Sequence, residues 1–226
     1  MAPIRLFYIF LFLYACIGED LVDDRVPAEI RITNPILSLE IEQTHQYQAK
    51  YFDFVGREIT EKPLAWESSN QTVAVVNNQG LVTAIDEGAA VITVTSEDDL
   101  GNVISATDNL EVSDNTQTEN MIITGTLQTT SSYLLKGSFR LEKTETSLTL
   151  YLEEDYQADR GLPRLVLFLS NNRNSVADAY RVGEVRVFSG NHSYDLPSEF
   201  GLMDYRYLLY WCEPFNVDVG EGVLIP

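Results

Sequence analysis

The chain has 226 residues, 45% of them hydrophobic and 22% charged, with a formal net charge of −19. These proportions suit one or two ordinary folded domains and argue against a disordered chain. The negative charge repels phosphate backbones and anionic lipid headgroups, so nucleic acid is excluded as a partner and any membrane attachment must rest on an apolar anchor.

Arg5 is followed by an uncharged run over residues 6–15. At ~1.5 Å rise per residue this run reaches about half of a ~30 Å hydrocarbon core. It reads as the apolar part of an export signal and not as a membrane span. Leu13-Tyr14-Ala15-Cys16 resembles the lipobox of bacterial lipoproteins. The resemblance implies a signal peptide over residues 1–15 and a lipid on the thiol of Cys16. Each buried methylene of such a lipid contributes ~0.8 kcal/mol, so several acyl chains hold firmly. Residues 16–25 are short, polar and acidic and read as a solvated tether. The expected location is a bacterial cell envelope, at the outer membrane or the cell surface. With Cys16 occupied, Cys212 is left as an unpaired thiol.

Over residues 26–113 apolar and polar residues alternate with period two, the signature of half-buried strands. Val73-Ala74-Val75-Val76, Leu81-Val82-Thr83-Ala84-Ile85 and Ala90-Val91-Ile92-Thr93-Val94-Thr95 are β-branched runs. Asn77-Asn78-Gln79-Gly80, Asp86-Glu87-Gly88 and Asp98-Asp99-Leu100-Gly101-Asn102 are turn signals between and after them. Short strands at this spacing predict a sandwich. His45 has no second His or Cys near it in sequence and reads as structural. The acidic Asp98–Asn102 segment lacks the spaced ligands of a calcium loop and reads as a hairpin tip.

Leu64-Ala65-Trp66-Glu67-Ser68, with Gly80-Leu81-Val82-Thr83-Ala84 and Gly88-Ala89-Ala90-Val91-Ile92, resembles the bacterial immunoglobulin-like domain of group 2. The resemblance covers residues 26–113. It implies that Trp66 is a core aromatic and that Gly80 and Gly88 serve turns. Domains of this kind act as spacers or adhesion modules.

Residues 114–120 hold no large apolar side chain and read as a linker. Strands resume over residues 121–226. Leu148-Thr149-Leu150-Tyr151-Leu152, Leu165-Val166-Leu167-Phe168-Leu169-Ser170 and Tyr205-Arg206-Tyr207-Leu208-Leu209-Tyr210-Trp211-Cys212 are the clearest. The whole chain is therefore expected to be all-β, with two β-sandwich domains in tandem behind a lipoprotein signal peptide.

Gly137-Ser138-Phe139-Arg140-Leu141, Pro163-Arg164-Leu165-Val166-Leu167 and above all Trp211-Cys212-Glu213-Pro214-Phe215 resemble the DM-thirteen domain, also called the electron-transfer DM domain. The resemblance implies redox or electron-transfer work through a characteristic cysteine, here Cys212. The residues themselves leave two readings open. Leu208, Tyr210 and Cys212 share one strand face and Tyr207, Leu209 and Trp211 the other, so Cys212 is expected to be buried, where a free cysteine is also an ordinary core residue. Glu213 and Asp218 nearby disfavour a thiolate. His192, Met203 and Cys212 fall one histidine short of a blue-copper set. A haem held by His192 or Cys212 stays open, but the sequence carries no haem motif. His192, beside Gly190 and Asn191, is expected on an exposed turn. No metal site is assigned, and the cofactor is left unknown.

An enzyme is disfavoured, since no Ser/His/Asp order, paired metal spacing or glycine-rich phosphate loop is present. The remaining expectations are a lipid-anchored redox module using Cys212, with a redox partner protein, or a non-catalytic adhesion, ligand-binding or spacer protein at the cell surface.

Overall fold

The computed structural model describes residues 24–118 and 122–225. Cys16 and the predicted signal peptide lie outside the described residues. Among the described residues no helix is long and apolar enough to cross a membrane.

The first domain contains β1 (Glu29–Ile32), β2 (Ile36–Glu40), β3 (Thr44–Gln46), β4 (Ala49–Phe52), β5 (Ala65–Ser68), β6 (Ala74–Val76), β7 (Leu81–Ala84), β8 (Gly88–Glu97), β9 (Val103–Ser113) and β10 (Gln117–Thr118). One sheet has the order β10-β2-β9-β8-β5, and β1-β4 and β3-β7-β6 form the opposing layer. Alternation places Ala90, Ile92 and Val94 of β8 inward, where they meet Ile30, Leu39, Val82 and Leu110 in one core. Part of the segment read as a linker is tied down here, because β10 pairs with β2. Trp66 is half-buried and stacks on Tyr47 at 5.8 Å, so the deeper aromatic is Tyr47. Gly80 has a φ of +83°, and a Cβ there would sit 2.9 Å from the Trp66 ring. The turn and the tryptophan thus need the same glycine.

The second domain contains β11 (Ile122–Thr129), β12 (Leu135–Lys143), β13 (Leu148–Leu152), β14 (Gln157–Ala158), β15 (Leu165–Ser170), β16 (Tyr180–Glu184), β17 (His192–Leu196), β18 (Tyr207–Cys212) and β19 (Val217–Val223). These form one continuous antiparallel sheet in the order β16-β15-β18-β19-β11-β12-β13-β17, with β14 on β12. The sheet curls, so that Leu165, Leu167 and Leu208 on one side share a core with Phe139, Leu150 and Leu152 on the other. Glycines at the seam make room for this. A Cβ at Gly125 of β11 would fall 2.5 Å from the Phe139 ring, and one at Gly222 of β19 would fall 2.7 Å from it. A smaller cluster of Val166, Phe168, Leu209 and Trp211 packs on the outer face under the 171–179 loop, through Val176 and Ala179.

The domains meet through that loop and through residues 203–206. Arg31 of β1 is only 6% exposed. It donates to the Met203 carbonyl at 2.8 Å and to Asn171 Oδ1 at 2.8 Å, and it lies 3.8 Å over the Phe52 ring. Glu29 pairs with both Arg31 and Arg206, and Lys50 pairs with Asp204 at 2.8 Å. Gly56 packs so close to the loop that a Cβ would stand 2.6 Å from the Asn171 carbonyl carbon.

Candidate functional site

Cys212 ends β18 and has no exposed surface. Its strand neighbours are Leu165 and Val217, and it belongs to the inner core together with Leu208 and Tyr210. The opposite face carries Leu209 and Trp211, with Tyr207 packed against them, so the sequence-derived division of β18 into two apolar faces matches the structure. A 3-10 turn, Glu213–Phe215, follows. Trp211 donates its indole N–H to Asn216 Oδ1 at 3.1 Å across this turn. Glu213 does not press its charge on the thiol unopposed. It accepts from Arg181 at 3.0 Å and lies 3.5 Å from Arg164, and the Arg181 hydrogen bond holds its carboxyl below the usual range. Asp218 stands opposite Trp211 in the register, and burial pushes its carboxyl up.

The same core holds a polar cluster that sequence reasoning missed. Tyr156 sits between β13 and β14, in a turn fixed by Asp155. The Asp155 carboxylate accepts from the Ser138 N–H at 2.8 Å and from its hydroxyl at 2.9 Å. Gly137 lets this turn close on β12, since a Cβ there would lie 2.5 Å from Tyr156 Cα. The Tyr156 ring is fully buried and meets His192 edge to face at 4.8 Å and Tyr210 at 6.2 Å. His192 in turn contacts Tyr194 at 5.4 Å.

His192 corrects the sequence expectation of an exposed turn. It opens β17 and is half-buried, and the backbone locks it in place. Gly190 N–H donates to the Tyr156 carbonyl at 3.0 Å, and Nδ1 of His192 lies 3.0 Å from the Gly190 carbonyl. A carbonyl can only accept, so Nδ1 carries a proton, and in the neutral tautomer the lone pair lies at Nε2. That atom is buried and has no partner among the described residues, while the hydroxyls of Tyr156 and Tyr210 interact with each other. Burial pushes the phenols of Tyr156 and Tyr210 well up from the ordinary tyrosine range and raises that of Tyr194. The missed signal was pairing at a distance: nothing near His192 in sequence points to residue 156.

Other sequence candidates are dispersed. His45 is structural, with Nε2 3.0 Å from the Asn34 carbonyl and its ring on Tyr47. The Asp98 carboxylate is filled by N–H groups of Leu100 and Asn102, as a hairpin tip requires. Met203 lies at the domain boundary with Arg31 on its carbonyl, apart from the Cys212 core. Among the described residues no group of three His, Cys, Asp or Glu is placed to hold a metal ion. Haem does not fit Cys212 either, because a macrocycle needs an open face beside its ligand and this thiol has none.

The fold and the core define a two-domain, all-β protein whose second domain buries a free thiol among phenols. Comparison with known families sharpens this. Residues 28–106 match the bacterial Ig-like domain (group 2), and residues 123–224 match the family described as Electron transfer DM13, so the chain joins one domain of each family. No curated protein matches the chain. Among solved structures, domains 4 and 5 of the S-layer protein SbsC align over 87% of this chain and 96% of their own, at 14% identity and a TM-score of 0.29. The longer rSbsC(31-844) aligns over 87% of this chain and 38% of its own, at 12% identity and a TM-score of 0.29. Likenesses at this level carry no argument.

Proposed function

We propose that this is a lipid-anchored protein of the bacterial cell envelope, tethered through Cys16, whose second domain exchanges electrons with a partner redox protein through Cys212. The observation that carries the reading is the gathering of Cys212, Tyr210, Tyr156 and His192, all redox- or proton-active groups, in one core of a domain from an electron-transfer family. Burial narrows the chemistry. Thiol–disulfide exchange needs a thiolate that can reach its target, whereas electron exchange does not require the sulfur to be exposed. The Ig-like domain holds the redox domain away from the membrane.

Substitution tests the reading. Cys212→Ala removes the sulfur and leaves a small cavity. Cys212→Ser keeps the size but buries a hydroxyl at a cost of ~1–3 kcal/mol. Both variants should lose electron exchange with ferricyanide, followed by stopped flow, while remaining folded. Intact mass of membrane-extracted protein should show Cys16 as the first residue and carrying lipid; an unmodified Cys16 overturns the anchor.

The alternative is a non-catalytic adhesion or spacer protein. Its specific support is that Cys212 has no exposed surface and apolar strand neighbours, as a core filler would. In that case both variants lose stability and electron exchange does not change.

A further inference from the structure

The second sheet has two ends, and one is taken. Tyr207 starts β18 beside Arg206 and Asp204, which pair with Glu29 and Lys50 of the Ig-like domain. Cys212 closes the same strand, about 17 Å away at ~3.3 Å per residue. At this free end Glu213 N–H donates to the Arg164 carbonyl at 3.3 Å, and Val185 N–H donates to the Leu165 carbonyl at 2.8 Å. The segments 159–164, 185–190 and 213–217 therefore lie side by side. The turn after Cys212 is fixed. Asn216 takes the left-handed conformation at a φ of 51°, its N–H donates to the Glu213 carbonyl at 3.3 Å, and its side chain holds the Trp211 indole. This turn carries Phe215 outward at 66% exposure, with Val187 and Val217 also exposed. A held turn that shows an aromatic ring to water adds nothing to the core and marks a contact surface. Charge here departs from the rest of a chain at −19. Arg160, Arg164, Arg181 and Arg186 are exposed, against Asp159, Glu184 and Glu213. Asp159 already accepts from the Gly161 N–H and Glu213 from Arg181.

We propose that this end of the second domain is the docking surface for the redox partner, an electron carrier whose redox centre opens in an acidic surface. The proposal rests on the electron-transfer reading and adds to it where the partner sits and what charge it carries. An exposed aromatic centre with arginines around it has the composition of a recognition surface. Opposite charge steers an acidic partner to the arginines, and the acidic remainder of the chain repels it from other faces. A second copy of this chain is the wrong occupant, because both copies carry −19. Cys212 lies directly behind the surface, since its register partners Leu165 and Val217 are the first residues of β15 and β19. A partner docked here meets the sheet at the end that holds the sulfur and leaves the domain junction untouched.

The test titrates the isotope-labelled full chain with an acidic iron–sulfur ferredoxin, whose paramagnetic cluster broadens nearby amide signals in nuclear magnetic resonance. Broadening should map to residues 159–164, 185–190 and 213–217 and fade as salt shortens the range of the charges. Arg160→Glu with Arg186→Glu should weaken binding roughly tenfold or more. Phe215→Ser should weaken it too, with no change in melting temperature, because the ring is exposed. Arg57→Glu, at an exposed arginine of the Ig-like domain, should leave binding unchanged. Broadening elsewhere or nowhere, or an equal loss in Arg57→Glu, overturns the surface. Self-association of the native chain that Phe215→Ser abolishes also overturns it. So does capture by phosphatidylcholine vesicles that survives Cys16→Ser and is lost in Phe215→Ser, which would assign this end to lipid. If Cys212→Ala abolishes ferricyanide exchange but the ferredoxin does not bind at this end, the surface falls and the electron-transfer reading stands. If binding maps here while Cys212→Ala leaves the exchange unchanged, the surface stands and the role of Cys212 falls.

Discussion

Each domain buries a tyrosine with a histidine set edge-on against it, at 4.7 Å for Tyr47 and His45 and at 4.8 Å for Tyr156 and His192. In the Ig-like domain the polar ends are closed. Tyr47 donates to Asp108 at 2.7 Å, and the His45 ring nitrogen meets the Asn34 carbonyl. In the second domain the ring nitrogen of His192 has no partner among the described residues, and the hydroxyls of Tyr156 and Tyr210 have only each other. The Ig-like domain has its own orphan, the Tyr51 hydroxyl, but that ring lies under the Lys62 ammonium at 4.7 Å. The same residue types therefore serve two ends. Where each donor has an acceptor, the cluster fixes a fold. Where the ring nitrogen has no donor, packing holds the cluster instead.

The largest expected effect breaks the contact between the two regions. Arg31 has lost most of its water, and burial lowers the affinity of its guanidinium for the proton more than Glu29 restores it. Removing one partner of a buried pair typically costs ~3–5 kcal/mol. Arg31→Ala should lower the denaturant midpoint strongly and split one unfolding transition into two, as followed by tryptophan fluorescence in urea. A single unshifted transition would mean that the docking of the domains contributes little.

Next in size is the same substitution made in each core. Tyr47→Phe leaves Asp108 without its phenol donor and should cost ~1–3 kcal/mol. Tyr210→Phe removes a hydroxyl whose one polar neighbour is the Tyr156 hydroxyl and should cost less than Tyr47→Phe by calorimetry. Equal losses in both variants would show that the Tyr210 hydroxyl is satisfied in solution, and the contrast between the two cores would disappear.

How much of this was legible in the sequence depended on the distance between partners. Leu148–Leu152 and Leu165–Ser170 form strands over the same residues as their apolar runs, because several neighbouring side chains all demand burial. The two faces of β18 were legible for the same reason, as was the burial of Cys212. β9 was not, since it alternates small and polar residues and buries only Leu110 and Val112. The second sandwich proved to be one curled sheet because β19 pairs with both β18 and β11, a long-range choice that no local pattern records. His192 was misread for that reason too: the turn formers Gly190 and Asn191 before it predict an exposed turn, while the carbonyl of Gly190 and the ring of Tyr156 draw the side chain inward.

The smallest expected effect concerns charge, and its sign differs between the domains. Glu221 is 8% exposed on β19 and pairs with Arg173. Burial outweighs that attraction and pushes its carboxyl up, with Asp218 adding to the shift. A raised folded pKa means that the folded state favours the proton. The stability this contributes is fully present below the unfolded value of ~4.3 and is lost as pH rises through the folded value. Glu221→Gln removes the titration. Arg173 is half exposed, so leaving it unpaired costs little. The variant should therefore melt higher than the native chain at neutral pH, and the gap should close as pH falls below ~4.3. Asp98 of the Ig-like hairpin has the opposite sign, because its hydrogen bond from Asn102 lowers its pKa. Its contribution is present above the unfolded value and lost as pH falls through the folded one, so Asp98→Asn should weaken the chain at neutral pH and become silent in acid. Melting temperatures of the three chains from pH 3 to 8 check both signs. If Glu221→Gln melts lower at neutral pH, the Arg173 pair outweighs burial, and this strand of the second sheet is held by charge as the hairpin is.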